Sequence, residues 1–429
     1  MNTKDLYQEY MITSMVSGFE DVEFMSAKDC TVTNRSGKEY LDCFSGIAVT
    51  NAGHGNREIL DAAIEQMERW VHCCTYVYYN SPAANLAEKL SQITPGTLRK
   101  SFFGNSGAEA IEGALRIARQ YTGRHEFIAL THSFHGRTNM TLSITGNSSR
   151  KTDGGPYASG IAFTPAPYTY RCPFGTESPG ACAEQSAEYL RNVIRFQTAG
   201  DVAAMITEPI LGEGGIIVPP DGFFEYVKEI LEEHDILFIC DEVQTGFGRT
   251  GKMFGIQYSG IVPDIMTTAK GIANGFPLSA FTVRPEIAEA FTPGSHLSTF
   301  GGNPVSCAAA LSNIEFITRN DLSGNALERG SQIMNSLKPL EEETVVTGEV
   351  RGRGLMIGIE LVKDSAKTPA PEFAKQIRAG CRERGILIGA GGPFGNVLRI
   401  QPPLLLREDE AARITEELAR QIREVEKTL

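Results

Sequence analysis

Two residues of this chain have the types and the spacing to hold the two ends of a charged aromatic ring. Asp241 ends an apolar, β-branched run in ILFICDEVQTGFGRTG (236–251), and Lys270 ends a second run in PDIMTTAKG, 29 residues later. Runs of this kind read as buried strands, so two strand ends deliver a carboxylate and an amine. Pyridoxal phosphate needs that pair: an amine to bond its aldehyde and an acid to keep its ring nitrogen protonated. Lys270 must be neutral to attack an aldehyde, so burial and nearby cations are expected to lower its pKa. Alone, the lysine reads more simply as a turn cap and the acid as a strand-end turn residue. Together they favour the cofactor.

Further clusters fit the same chemistry. GNSGAEA (104–110) follows SFF and opens a helix, where small residues and the helix dipole suit a phosphate at Ser106, Gly107 and Ala108. An ordinary strand-to-helix turn capped by Asn105 or Ser106 explains that motif equally well. In THSFHGRT (131–138), Phe134 can stack on one face of a ring while Val243 presses on the other. Gln244 reaches towards a phenolic oxygen. Arg137 offers a planar fork for a carboxylate, and Phe134 as plain core is the competing reading. TEPILGEGG (207–215) holds two acids, Glu208 and Glu213, either a general acid/base pair or a removable partner for an arginine. Arg399 in NVLRIQPPL is the candidate partner; a strand arginine facing solvent is the alternative.

One motif points elsewhere. GFGRTGK (246–252) matches the first seven positions of a P-loop, which would make the chain an NTPase. Its eighth position is Met253, without a hydroxyl for Mg²⁺, and four residues separate it from the preceding strand. It is read as a connecting turn.

These residues need elements to carry them. Apolar strands at 100–103, 127–130, 202–206, 236–240, 265–268 and 280–283 alternate with helical stretches such as 109–120 and 223–233. That alternation predicts a mainly parallel sheet covered by helices, with ligands at the carboxyl ends of its strands. The clusters at 105–108, 132–137, 208–213, 241–244 and 270 all follow such ends. Upstream, 30–52 reads as strand, turn, strand (TVTN, RSGKE, YLDCFSGIAV), and 58–72 is helical in period. Beyond about residue 303, helices at 308–318 and 326–337 and strands GLMIGIELV and GILIGA precede a charged helix from Glu408. The expected division is 1–52 joining a small α+β domain, 53–305 a large cofactor domain, and 306–429 the small domain.

Composition narrows the classes. At 429 residues the chain can bury a large core, and 41% hydrophobic with 21% charged residues is ordinary for a globular protein. A net charge of −12 and no basic run argue against nucleic-acid binding. No apolar run reaches about 18 residues, so no membrane span is expected. No secretion signal is evident in MNTKDLYQEYMITSM. Nine scattered cysteines with no C-x-x-C read as reduced thiols of a cytoplasmic protein, and no histidine pattern suggests a metal.

Taken together, the motifs from YLDCFSGIAV to VLRIQPPL resemble the class III group of pyridoxal-phosphate aminotransferases, with ICDEVQTGFGRTG followed by PDIMTTAKG as the specific signature. The resemblance implies the type I PLP-dependent transferase fold, with a large domain around a mainly parallel seven-stranded sheet and a smaller α+β domain. It implies Lys270 as the Schiff-base lysine and Asp241 as the ring-nitrogen partner. Ser106, Gly107 and Ala108 would hold the phosphate, Phe134 and Val243 would sandwich the ring, and Gln244 and Glu208 would lie at its edge. Thr299 in STFGGNP resembles the phosphate contact from a second subunit, implying a homodimer or a dimer of dimers. FHGRT, GEGG and NVLRI look closest to 4-aminobutyrate aminotransferases. In that reading Arg137 takes a distal carboxylate, Ile47 lines the pocket, and Glu213 neutralises Arg399 until 2-oxoglutarate displaces it. The chain departs from the family at GHGN (53–56), NSGAEA is closer to acetylornithine-type members, and Cys73–Cys74 follow no assigned pattern. An amino-acid racemase of the same family and acetylornithine-, ornithine- or pyruvate-using aminotransferases are the alternatives.

Overall fold

The computed structural model describes residues 2–13, 19–152 and 154–429. Three N-terminal strands, β1 Phe24–Lys28, β2 Thr31–Asn34 and β3 Glu39–Asp42, form an antiparallel ribbon. YLDCFSGIAV does not continue as a strand. The Asp42 carboxylate accepts hydrogen bonds from the backbone N–H of Phe44 and of Ser45, both at 2.9 Å, and so ends the ladder. Ser45, Gly46, Ile47 and Ala48 then all adopt positive φ (44°, 63°, 71° and 58°), a left-handed turn beside the cavity described below.

The large sheet contains β4 Lys100–Gly104, β5 Glu126–Leu130, β6 Ile161–Thr164, β7 Val202–Thr207, β8 Leu237–Asp241, β9 Ile265–Thr268 and β10 Ser279–Val283. Their order is β4-β10-β9-β8-β7-β5-β6, with β10 antiparallel to both neighbours and the rest mutually parallel. This is the expected mainly parallel seven-stranded sheet of the type I PLP-dependent transferase fold. Its central strands are apolar throughout because both faces are covered. Phe127, Ala129, Leu237 and Ile239 pack on the side of the helix Gly107–Thr122. Ile128, Leu130, Phe238 and Cys240 point to the other side, towards helices Pro179–Gln197 and Phe223–Glu233. The edge strand β6, four residues long, is too short to show a clear pattern in sequence.

A smaller antiparallel sheet joins β11 Thr347–Arg353, β12 Met356–Leu361, β14 Gly389–Gly391 and β15 Val397–Ile400 in the order β11-β12-β15-β14. The run GILIGA is split: β13 Ile386–Leu387 pairs in parallel with β3, while β14 pairs with β15. The charged helix is Glu408–Glu426. No helix among the described residues is long and apolar enough to cross a membrane.

Candidate active site

Because β4, β5, β7, β8 and β9 are parallel, the segments that follow them meet at one edge of the sheet. They enclose a cavity of about 320 Å³ lined by Ser106, Gly107, Ala108, Phe134, Glu208, Asp241, Val243, Gln244 and Lys270. Asn105, His135, Val49 and the segment 276–278 complete its wall.

Lys270 follows β9 in a left-handed conformation (φ 47°), which turns its side chain out of the strand direction. Burial pulls its amine down to a pKa of about 8; Glu208 and Asp241 oppose that shift and Arg399 adds to it. Asp241 is fixed at the end of β8 by three groups. His135 Nδ1 lies 2.7 Å from its Oδ2, while Thr267 Oγ1 and the Val243 N–H donate to Oδ1 at 3.2 Å and 3.1 Å. A carboxylate held on both oxygens in a buried site stays ready for a cationic ring nitrogen.

The phosphate end is equally specific. Ser106 caps the helix Gly107–Thr122, its hydroxyl accepting from the Glu109 N–H at 3.3 Å. The first N–H groups of that helix have no intrahelical acceptor and carry the positive end of its dipole, so they suit an anion. A Cβ on Gly107 would come within 3.0 Å of Val243 Cγ1, so a side chain there would close the space between phosphate end and ring end. Glu208 tethers two loops, accepting from the N–H of Phe134 and of Gly212, both at 2.9 Å. Burial raises its pKa to about 7, with His135 acting against the shift. Gln244 accepts from Gln401 Nε2 at 2.9 Å, tying the cavity to the C-terminal segment. The residues present therefore fit pyridoxal phosphate from its phosphate to its ring nitrogen.

The other sequence candidates lie around this core. Arg137 is exposed, with its guanidinium carbon 5.5 Å from the centre of the Phe134 ring. Ile47 is 44% exposed on the left-handed turn, and Thr299 is exposed and does not line this chain's cavity. Arg399 is buried on β15 beside Phe44, and its Nε and Nη1 have no hydrogen-bond partner among the described residues. Burial lowers its pKa to about 10 although the Glu213 charge supports its protonation. The expected Glu213–Arg399 pair is not formed: Glu213 is taken by Arg150 and Asn147 instead. GFGRTGK cradles no phosphate. Only a single 3-10 turn, Gly255–Tyr258, follows it, and Lys252 donates to the Gln257 carbonyl at 3.1 Å beside the Tyr258 ring. His135, Asn147 and Arg150 escaped the sequence reading. His135 lies within the quoted FHGRT, whereas nothing in the spacing marks the other two.

A lysine and an acid facing one cavity at this edge of this sheet, beneath a helix terminus suited to an anion, fit a pyridoxal-phosphate-dependent enzyme. The family description "Aminotransferase class-III" matches residues 17–422. The chain belongs to that family and is a PLP-dependent aminotransferase. It is 40% identical to a leucine/methionine racemase from Thermococcus litoralis, over 94% of this chain and 90% of that protein. It is also 40% identical to a 4-aminobutyrate aminotransferase from Mycobacterium leprae, over 90% and 87% respectively. Among solved structures, an amine transaminase from an uncultivated Pseudomonas species in its PLP-bound form superposes with a TM-score of 0.91. It is 32% identical and covers 97% of this chain and 98% of its own.

Proposed function

We propose that the enzyme moves the amino group of a 4-aminobutyrate-like ω-amino acid to 2-oxoglutarate in two half-reactions. The observation that carries this reading is Arg399, a buried guanidinium near Lys270 whose Nε and Nη1 have no partner among the described residues and which suits the α-carboxylate of the oxoacid acceptor. An unpaired buried cation is costly, and a substrate carboxylate removes that cost. The motifs FHGRT, GEGG and NVLRI and the mycobacterial relative support the choice of donor.

Bound pyridoxal phosphate supplies an electron-withdrawing ring that stabilises a carbanion beside the amine. Asp241, held by His135, Thr267 and the Val243 N–H, would face the ring nitrogen. Ser106, Gly107 and Ala108 would hold the phosphate, Phe134 and Val243 would lie on the two ring faces, and Gln244 and Glu208 would border the ring. Lys270 Nζ would be the amine that bonds the cofactor aldehyde and would serve as the general base and acid for the substrate's proton. Arg137 and Ile47 bound the distal end of the substrate. Thr299 reaches the phosphate of a second copy in a homodimer or a dimer of dimers. The division at residues 52 and 305 and a cytoplasmic location belong to the same proposal. The pairing of β3 with β13 supports the first, and nine free cysteines accord with the second.

The test is glutamate formation by the holoenzyme from 4-aminobutyrate plus 2-oxoglutarate, followed chromatographically. Absence of glutamate from this and other ω-amino donors overturns the donor assignment. The racemase relative favours a second reading, in which protons return to the original carbon and no acceptor is needed. Inversion of an L-amino acid in the absence of any oxoacid would establish it.

A further inference from the structure

Both oxygens of Glu213 are engaged by groups other than Arg399. Its Oε1 accepts from Arg150 Nε at 3.0 Å and from Nη2 of the same guanidinium, and its Oε2 accepts from Asn147 Nδ2 at 2.7 Å. Asn147 is itself fixed, because its Oδ1 accepts from the N–H and the hydroxyl of Ser149 at 3.1 Å and 2.8 Å. The Glu213 carbonyl is anchored by the Gly392 N–H at 3.0 Å. The Arg150 and Glu213 side chains are only 12% and 14% exposed, so their two-point contact is largely out of water, where such pairs are strong and directional. Arg399 meanwhile keeps Nε and Nη1 unpartnered, with Phe44 under its guanidinium at 5.2 Å. Two guanidiniums face one carboxylate: Arg150 holds it by direct contact, and Arg399 feels its charge only from a distance.

We propose that Arg150 is a positioning residue that sets substrate preference: by holding Glu213 away, it keeps Arg399 open for the α-carboxylate of a 2-oxo or 2-amino acid. The inference rests on the aminotransferase reading of this site and specifies its resting state. A diacid pairs with Arg399 directly. A donor with no carboxylate at that position leaves Arg399 buried and unpaired unless Glu213 abandons Arg150 and Asn147 for it. Arg150 thus favours one class of ligand and opposes the other. Its loss must move the two classes in opposite directions, which a general loosening of the pocket does not do.

The experiment uses the holoenzyme with glutarate, a five-carbon diacid that cannot react, and n-butylamine, a donor without a carboxylate. Calorimetry gives the glutarate Kd, and the absorbance change of the half-reaction gives the apparent constant for the amine. Arg150→Met is expected to weaken glutarate by about tenfold, a loss of about 1.4 kcal/mol, and to leave the amine as tight or tighter. Arg150→Lys, which keeps one donor, should fall between. In a Glu213→Gln background the Arg150→Met change should no longer affect glutarate. Unchanged glutarate binding, parallel weakening of both ligands, or a full Arg150 effect in Glu213→Gln overturns the proposal. Glutarate binding does not depend on the natural donor. A failure to use 4-aminobutyrate therefore strikes the donor assignment and leaves this test intact.

Discussion

Lys270 combines two demands that oppose each other at neutral pH: it must be buried against the cofactor and must also surrender a proton. Burial resolves the conflict by lowering its pKa to about 8, with Arg399 assisting and Glu208 and Asp241 resisting. Two outcomes follow in the cofactor-free protein. Uptake of pyridoxal phosphate, read as the absorbance of the bound cofactor, should accelerate as pH rises through about 8 and level off above. In Glu208→Gln the midpoint should move lower, because a charge that favours the protonated amine is gone. The stability effect has a definite sign: the penalty for burying protonated Lys270 is full below pH 8 and fades as pH climbs towards the free value of 10.5. This group therefore makes folding more favourable across that window, and Lys270→Met should remove that slope from urea denaturation curves. An uptake rate flat between pH 7 and pH 9 would contradict the depressed pKa. Lys270→Ala should lower turnover by about a thousandfold, since no other lysine among the described residues lines the cavity.

At the scale of elements, the strand ends position the site and one buried arginine locks them to the rest of the chain. Arg249, from the P-loop-like GFGRTG, is fully buried; Nη1 donates to the carbonyls of Leu355 and Pro402, and Nη2 to Asn51 Oδ1 at 2.7 Å. It also approaches Ser45 Oγ at 3.5 Å, at the start of the left-handed turn that carries Ile47. Three non-glycine residues in that conformation cost roughly 1–2 kcal/mol each, so the turn persists only because its surroundings impose it. Arg249→Met leaves three acceptors unpaired and relieves one buried cation. It should cost about 2–4 kcal/mol in chemical denaturation, with Arg249→Lys intermediate. A midpoint equal to that of the unmodified protein would show that the arginine is not the lock. These elements also explain what sequence can reveal. β8 is legible as a continuous apolar run ended by Asp241, and β9, IMTT, as a short run rich in β-branched residues with Lys270 two positions past its end, which is where the cofactor pair is read. The left-handed turn is not, because its causes include Arg249 and Gln401, some 200 and 350 residues away. GILIGA reads as one strand because only tertiary pairing with β3 and β15 divides it. The sequence suggests Glu213 as a removable partner of Arg399, whereas the structure pairs it with Arg150, from a short 3-10 turn with no periodic signal.

For the whole molecule, one face remains apolar in the single chain. The segment around residues 71–80 is tied to the loop carrying Thr299. Asn303 Nδ2 donates to the Val71 carbonyl at 3.0 Å, Thr75 Oγ1 and Asn80 Nδ2 donate to the Gly302 carbonyl, and the His72 and Phe300 rings lie 5.2 Å apart. On these joined segments Val71, Val77, Tyr78, Leu297 and Phe300 are exposed, and Tyr79 is fully so. Single exposed apolar residues are unremarkable, whereas a set on one tethered surface is the mark of an interface. The net charge of −12 makes two copies repel at long range, so an association has to be driven by apolar burial of this kind. A two-fold dimer would bury the face on both copies and place each Thr299 beside the other copy. Sedimentation should accordingly give about twice 46.7 kDa, insensitive to added salt because burial rather than ion pairing holds the copies together. Tyr79→Asp combined with Phe300→Asp should yield a monomer with unchanged far-ultraviolet circular dichroism, since neither side chain packs in the core of either sheet. That monomer should lose pyridoxal phosphate on dialysis, whereas Thr299→Ala in the intact dimer should weaken retention only in part. A monomeric unmodified enzyme, or a monomeric variant that keeps its cofactor and full activity, would remove Thr299 from the phosphate site and leave each chain complete by itself.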